Sequence, residues 1–171
     1  MTLNLITTLL LFHSLEFGTQ YGYNLPVSNI GRYYSLATSP AIFCKYNKFQ
    51  IDYVFTKYLG KNRNDDYLFV HTVSGFYQLP IFRQVSRSFN ITLGSTYNQI
   101  LRHFEQGNEK NHLWGIRSGI NYQEKLSRFN FISHLYLNQI IHTRTYQSLM
   151  MCHTDYFILL MFGIGFNLFG K

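Results

Sequence analysis

Charge is what this chain has least of. Across 171 residues only 13 % are Asp, Glu, Lys or Arg, about half the usual globular share. A soluble domain of this length covers itself with such side chains, so part of this surface must face something other than water. Long apolar runs are also missing. The longest late charge-free stretch, Tyr156 to Gly170, spans 15 residues, short of the roughly 18–20 that a spanning helix requires. Gly163, Gly165 and Asn167 interrupt it, and the mean hydropathy of −0.09 excludes a bundle of membrane helices. The two cysteines, Cys44 and Cys152, lie far apart without metal-ligand spacing and leave the redox compartment open. Basic runs are absent as well. The net charge is +7 and the pI about 9.4, yet the 15 Lys and Arg are scattered. That argues against a nucleic-acid partner and assigns the cations to turns, interior ion pairs and anionic lipid headgroups.

What is present is aromatic and alternating. Aromatics make up 18 %, with 14 Tyr and 16 Phe. Period-two alternation sends successive side chains to opposite faces of a strand. In Glu16–Leu25, Phe17, Tyr21, Tyr23 and Leu25 oppose Glu16, Gly18, Gln20, Gly22 and Asn24. In Ser88–Leu101, Phe89, Ile91, Leu93, Tyr97 and Leu101 oppose Asn90, Thr92, Gly94, Thr96 and Asn98. His112–Gln123 sets Trp114, Ile116, Ile120 and Tyr122 against Gly115, Arg117, Gly119 and Asn121. From Tyr156 onward one face is Tyr156, Ile158, Leu160, Phe162, Ile164, Phe166 and Leu168. Four further segments complete a set of eight. Leu36–Tyr46 contains Pro40, which a strand accommodates only at an edge or bulge. Phe49–Leu59 aligns Phe49, Ile51, Tyr53 and Phe55. Tyr67–Leu79 begins apolar on both faces, so its phase is open. Arg128–His142 sets Phe129, Phe131, Leu135, Leu137 and Ile141 against Asn130, His134, Tyr136, Asn138 and His142.

The connections alternate in length. Longer polar stretches, Pro26–Ser35, Gly60–Asp66, Arg102–Asn111 and Thr143–Thr154, follow the odd strands. Short turns near Asn47-Lys48, Gln84–Arg87 and Glu124–Ser127 follow the even ones. Together these predict an all-β chain: a single up-and-down antiparallel transmembrane β-barrel of about eight strands, with both termini on the short-turn side. The alternative is a soluble lipocalin-like barrel with apolar faces turned inward around an apolar ligand. Its outside would then be Gly, Asn, Thr, Ser and Gln, which fill a narrow lumen better than they solubilise an exterior. The barrel domain is expected over residues 16–171. Residues 1–15 contain Leu3–Phe12, with the length of a signal-peptide core, read as an export signal or a retained apolar segment.

Two stretches carry a family resemblance. Phe162-Gly-Ile-Gly-Phe-Asn-Leu168-Phe169 resembles the C-terminal strand of bacterial outer-membrane barrels, although Gly170 and Lys171 follow the aromatic. Gly75–Arg83 followed by Phe89–Tyr97 resembles small barrels of the Bacteroidetes type. The layout also resembles TraO-like conjugation barrels and the lipid A deacylases. The resemblance implies a Gram-negative outer-membrane location, a signal peptide, and contact with outer-membrane lipid or lipopolysaccharide. Other envelope proteins would be met through the long loops. In the deacylases a His-x-Ser motif on the seventh strand supplies base and nucleophile. Here His142 stands at the matching end but is followed two positions on by Arg144, leaving His142, Ser148 and Asp155 as weak catalytic candidates.

No cofactor or metal is expected. Of the seven histidines, His134 and His142 share a face but stand about 26 Å apart along a strand, and His103 and His112 flank one loop. Gly163-x-Gly165 is followed by no helix and makes no phosphate cradle. The lumen of an eight-stranded barrel is filled by side chains, and its polar interior is expected to include Glu16, Gln20, Asn98, Arg117, Asn121, His134, Tyr136 and Asn138. Buried Arg117 demands a carboxylate, for which Glu16 is the candidate by face. The function expected is a non-enzymatic structural, adhesive or complex-forming barrel. The alternatives are a deacylase-like hydrolase with a degenerate motif and the lipocalin-like binder.

Overall fold

Alternation in sequence becomes alternation in burial. In β1 (Leu15–Pro26), Glu16, Gln20 and Asn24 are buried while Phe17, Tyr21, Tyr23 and Leu25 are exposed. The same pattern runs through β2 (Ala37–Tyr46), β3 (Phe49–Leu59), β4 (Tyr67–Arg83), β5 (Arg87–Phe104), β6 (Gly107–Leu126), β7 (Phe129–Ile141) and β8 (Thr154–Asn167). This computed structural model describes residues 15–28, 30–61, 66–104, 107–141 and 154–168. Within them the strands pair antiparallel in chain order, and β8 returns to β1, closing a barrel. Among the described residues no helix is long and apolar enough to cross a membrane. The first described strand starts at Leu15, and the apolar stretch Leu3–Phe12 lies outside the described residues.

Closure fixes the stagger. Register partners lead from Glu16 to Lys45, Gln50, Phe76, Gly94, Arg117, Asn138 and Phe157, then back to β1 at Pro26. That return point lies ten residues beyond Glu16. At about 3.3 Å per residue and about 4.8 Å between strands, the strands tilt by roughly 40°. So tight a ring needs bare backbone where walls approach. A Cβ added at Gly94 would stand 2.1 Å from the Gly75 carbonyl oxygen and 2.4 Å from Phe76 Cβ.

The outward face is apolar. Ile42 is 60 % exposed and Trp114 66 %, and Leu93, Phe131 and Phe162 also point away from the lumen. Phe17, Phe49, Tyr77 and Phe129 ring the turn side, and Tyr23, Trp114 and Tyr156 the loop side, as membrane-interface aromatics do. This overturns the soluble lipocalin-like alternative, which needs these faces inward. The unclear phase of Tyr67–Leu79 resolves with Leu68, Val70, Thr72, Ser74, Phe76 and Gln78 inward. Both faces begin apolar there because the loop-side end of the lumen is itself apolar.

Several boundaries move. The expected loop Arg102–Asn111 is largely strand: β5 and β6 stay paired up to Phe104↔Gly107. A polar stretch beyond the membrane still satisfies its backbone by pairing, and composition does not reveal that. The Pro26–Ser35 connection carries a short helix, α1 (Ile30–Tyr33). Pro40 faces outward and pairs with Tyr21 on β1, but the β2–β3 ladder starts only beside it, at Ala41↔Val54. The proline therefore lies mid-strand in sequence and at a ladder end in space. On β4 the register shifts from Pro80↔Asn90 to Phe82↔Phe89, so Ile81 is an extra, bulged residue. Asn47, at φ 56°, and Ser127, at φ 62°, sit in the tight turns after β2 and β6.

Candidate functional site

The eight side chains expected inside, Glu16, Gln20, Asn98, Arg117, Asn121, His134, Tyr136 and Asn138, are all buried. They form separate tiers rather than one network. At the turn side, Lys45 Nζ donates to Gln123 Oε1 at 2.7 Å, and Gln123 Nε2 donates to Glu16 at 3.2 Å. Gly165 leaves room for that carboxylate: a Cβ there would stand 1.9 Å from Glu16 Oε1. One tier higher, Asn90 donates to Asn121, whose amide lies 3.0 Å from His134 Nδ1, and the Tyr136 hydroxyl meets the same nitrogen at 2.5 Å. Higher again, Asn98 accepts from Thr72 and donates to Thr96, which donates to Asn138. Gln20 is buried with no side-chain hydrogen bond among the described residues.

Arg117 corrects the expected pairing. Its guanidinium is fully buried and donates to both oxygens of Asp52, at 3.0 and 2.9 Å, with its carbon 5.0 Å from the Tyr136 ring centre. Glu16 shares its face class but lies near the turn-side end of β1, whereas the tilt lifts the middle of β6 to the level of Asp52. The signal for Asp52 was its place between Ile51 and Tyr53 on an alternating strand.

Above this pair the lumen turns apolar. Tyr58, Leu68, Ile100, Leu113, Ile140 and Phe157 fill the loop-side end, and Ile30 and Tyr34, in and just after α1, join them as a lid. The Arg102 guanidinium lies 6.0 Å from the Tyr34 ring centre. Burial holds the Tyr34 hydroxyl above its ordinary value, against the opposing pull of Arg102.

The hydrolase candidates do not converge among the described residues. Asp155 is buried inside the barrel, where the Ser28 hydroxyl donates to it, while a lipid hydrolase needs its acid on the outer surface. His142 and Ser148 lie outside the described residues. Among those described, no group of three or more His, Cys, Asp or Glu is placed to hold a metal. His103 and His112, expected together at a loop, stand on strands and take different partners, Asn108 and Tyr97.

What the sequence did not single out is a patch on the outward face of β3–β6 toward the loops. One register row reads Lys57, Phe69, Leu101 and Lys110; the row beneath reads Phe55, His71, Gln99 and His112. Lys57 Nζ lies 5.2 Å from the Tyr67 ring and 5.4 Å from the Phe69 ring. The hydroxyls of Tyr53 and Tyr97 meet His71 and His112 Nδ1 at 2.6 and 2.5 Å, and His103 stacks on Tyr67. No described carboxylate shares that face. Cations braced by aromatic rings at the edge of an apolar belt suit an anionic headgroup.

No protein-family model matches the sequence, and no curated protein matches it. Solved structures do. Neisserial surface protein A is similar over 90 % of this chain and 97 % of its own, with a TM-score of 0.66 and 13 % identity. The fold is that of an eight-stranded outer-membrane barrel. Ail, the attachment invasion locus protein of Yersinia pestis, matches over 89 % and 96 %, with a TM-score of 0.56 and 12 % identity. OprG from Pseudomonas aeruginosa matches over 90 % and 96 %, at 0.53 and 12 %. With this fold and its apolar belt, the chain is an outer-membrane protein; barrels of this kind set short turns to the periplasm and long connections to the cell exterior.

Proposed function

We propose that the chain is a non-enzymatic, non-conducting outer-membrane barrel that works through contacts on its extracellular side. The observation that carries this reading is the apolar plug. Tyr58, Leu68, Ile100, Leu113, Ile140 and Phe157 close the lumen below the α1 lid, so solute has no wet route through, and the surface left for work is the rim. The β3–β6 patch supports contact with the phosphorylated glycolipid of the outer leaflet, lipopolysaccharide, through Lys57, Lys110 and the Tyr–His pairs. The paired β5–β6 hairpin, continuous to Phe104↔Gly107, supports an adhesive or complex-forming role toward other envelope proteins. Gly75–Arg83 and Phe89–Tyr97 favour kinship with the Bacteroidetes-type barrels, with Leu3–Phe12 as the export signal.

Two measurements test this. The refolded chain in a planar bilayer is expected to give no conductance steps, and lipid A is expected to co-purify with it from detergent-solubilised outer membranes. Replacing Lys57 and Lys110 together by Ala should strip the bound lipid A and leave the folded barrel intact. Steady single-channel currents would refute the sealed lumen. Unchanged lipid retention in the double variant would remove the rim as the lipid site.

A further inference from the structure

The periplasmic mouth of the barrel opens into a cavity of about 400 Å³, within the usual range of small-molecule pockets. It does not belong to the extracellular reading above. Lys45, Lys48, Arg83 and Lys125 line it, with Glu16 as the carboxylate facing them. Arg87 reaches the same edge but is held by Glu124 at 3.0 Å. Lys45 gives its hydrogen bond to the neutral Gln123, which in turn serves Glu16. Neither Arg83 nor Lys125 has an ion pair among the described residues.

The backbone is shaped to this end. On an unbroken β4, with Pro80 inward, Arg83 would fall on the outward face with the lipid-facing aromatics. The bulge at Ile81 shifts the register by one, so Arg83 pairs with inward-facing Ser88 and points to the mouth, while Phe82 turns outward. Re-aiming one side chain is what bulges beside binding sites do. Around the cations stand amide groups of Gln78, Asn90 and Gln123, which offer hydrogen bonds without charge. A pocket with walls of low dielectric focuses the field of such a cluster, and an arginine fork fits a carboxylate or phosphate face to face.

We infer that this mouth is a binding site for a small periplasmic anion bearing at least two acidic groups, carboxylate or phosphate. Arg83 on β4 and Lys125 on β6 grip the acidic groups from either side of β5, and Lys45 sets the depth. Glu16 offsets the mutual repulsion of these cations in the empty site and disfavours singly charged anions.

Isothermal titration of the full chain, refolded in a non-ionic detergent, with citrate and separately with pyrophosphate tests this. Saturable binding of either one, weakening as salt is raised, is expected. Citrate binding alone would assign a polycarboxylate, and pyrophosphate binding alone a phosphorylated ligand. Acetate should give no saturable heat. The variant carrying Arg83→Gln and Lys125→Gln should bind at least about tenfold more weakly, while running on unboiled gels as the folded barrel does. Glu16→Gln should bring in singly charged anions. Absence of saturable binding by both probes at millimolar concentration, or unchanged affinity in a folded double variant, would overturn the site.

Discussion

Arg117 is the residue on which the interior depends most. A guanidinium with no exposure is tolerable only beside a carboxylate that meets it with both oxygens, as Asp52 does. Asp52→Asn removes that charge and leaves the cation buried, so it should cost about 3–5 kcal/mol, read as a lower urea midpoint of unfolding from lipid vesicles. Replacing both partners, Asp52→Leu with Arg117→Met, should recover most of the loss. A wild-type midpoint for the single variant would show that Arg117 has another route to neutrality. At this scale the sequence told which side chains face inward, because alternation assigns a face. It did not tell who meets whom. Glu16 and Asp52 carry the same face label, and only the stagger around a closed ring separates them in height.

Among the elements, β5 shows how backbone space becomes structure. Gly94→Val would drive carbon into the Gly75 carbonyl and Phe76 on β4. Overpacking of this kind costs about 1–3 kcal/mol, so the heat-modifiable fraction should fall while the unfolded chain accumulates. The α1 lid carries a different dependence. Burial raises the Tyr34 hydroxyl above its ordinary value, so the folded chain holds the proton longer than the unfolded one. The lid's contribution is then full below about pH 10, the ordinary tyrosine value, and is lost above it. Alkaline titration of unfolding should show this loss in the wild type and a shallower slope in Tyr34→Phe; identical slopes would take the lid out of the account. The lid and the upper β5–β6 ladder were illegible beforehand, since polar residues above a membrane look alike in loop and strand. The eight spanning segments were legible because lipid on one side and a packed lumen on the other enforce alternation along their whole length.

The whole molecule carries one tryptophan, and Trp114 points away from the lumen at the loop-side margin of the belt. Its fluorescence in vesicles should be quenched by lipids brominated on the upper acyl chain and spared by aqueous acrylamide. The reverse pattern would mean that the apolar face meets water or protein instead of lipid. The described lumen is then asymmetric along its axis: apolar at the end of the long connections and polar, with a basic mouth, at the end of the short turns. The patterning that announced a barrel could not announce this polarity, because both ends of the lumen draw on the same inward-facing positions. Only the tilt decides which residues of successive strands share a level.

A closed ring has no ends, yet it need not be equally strong all round. Where Pro40 has no N–H to offer, β2 and β3 run past each other from Ala37 to Pro40 without the ladder that binds them below. Deuterium should enter there first. In exchange experiments on the reconstituted barrel, the amides of Phe55 and Lys57, which point toward β2 while Thr56 and Tyr58 stay laddered to β4, should gain mass well before the facing stretches of β5 and β6. If the ring ever parts sideways, it should part along this line, with Pro40 as the tooth missing from the zip.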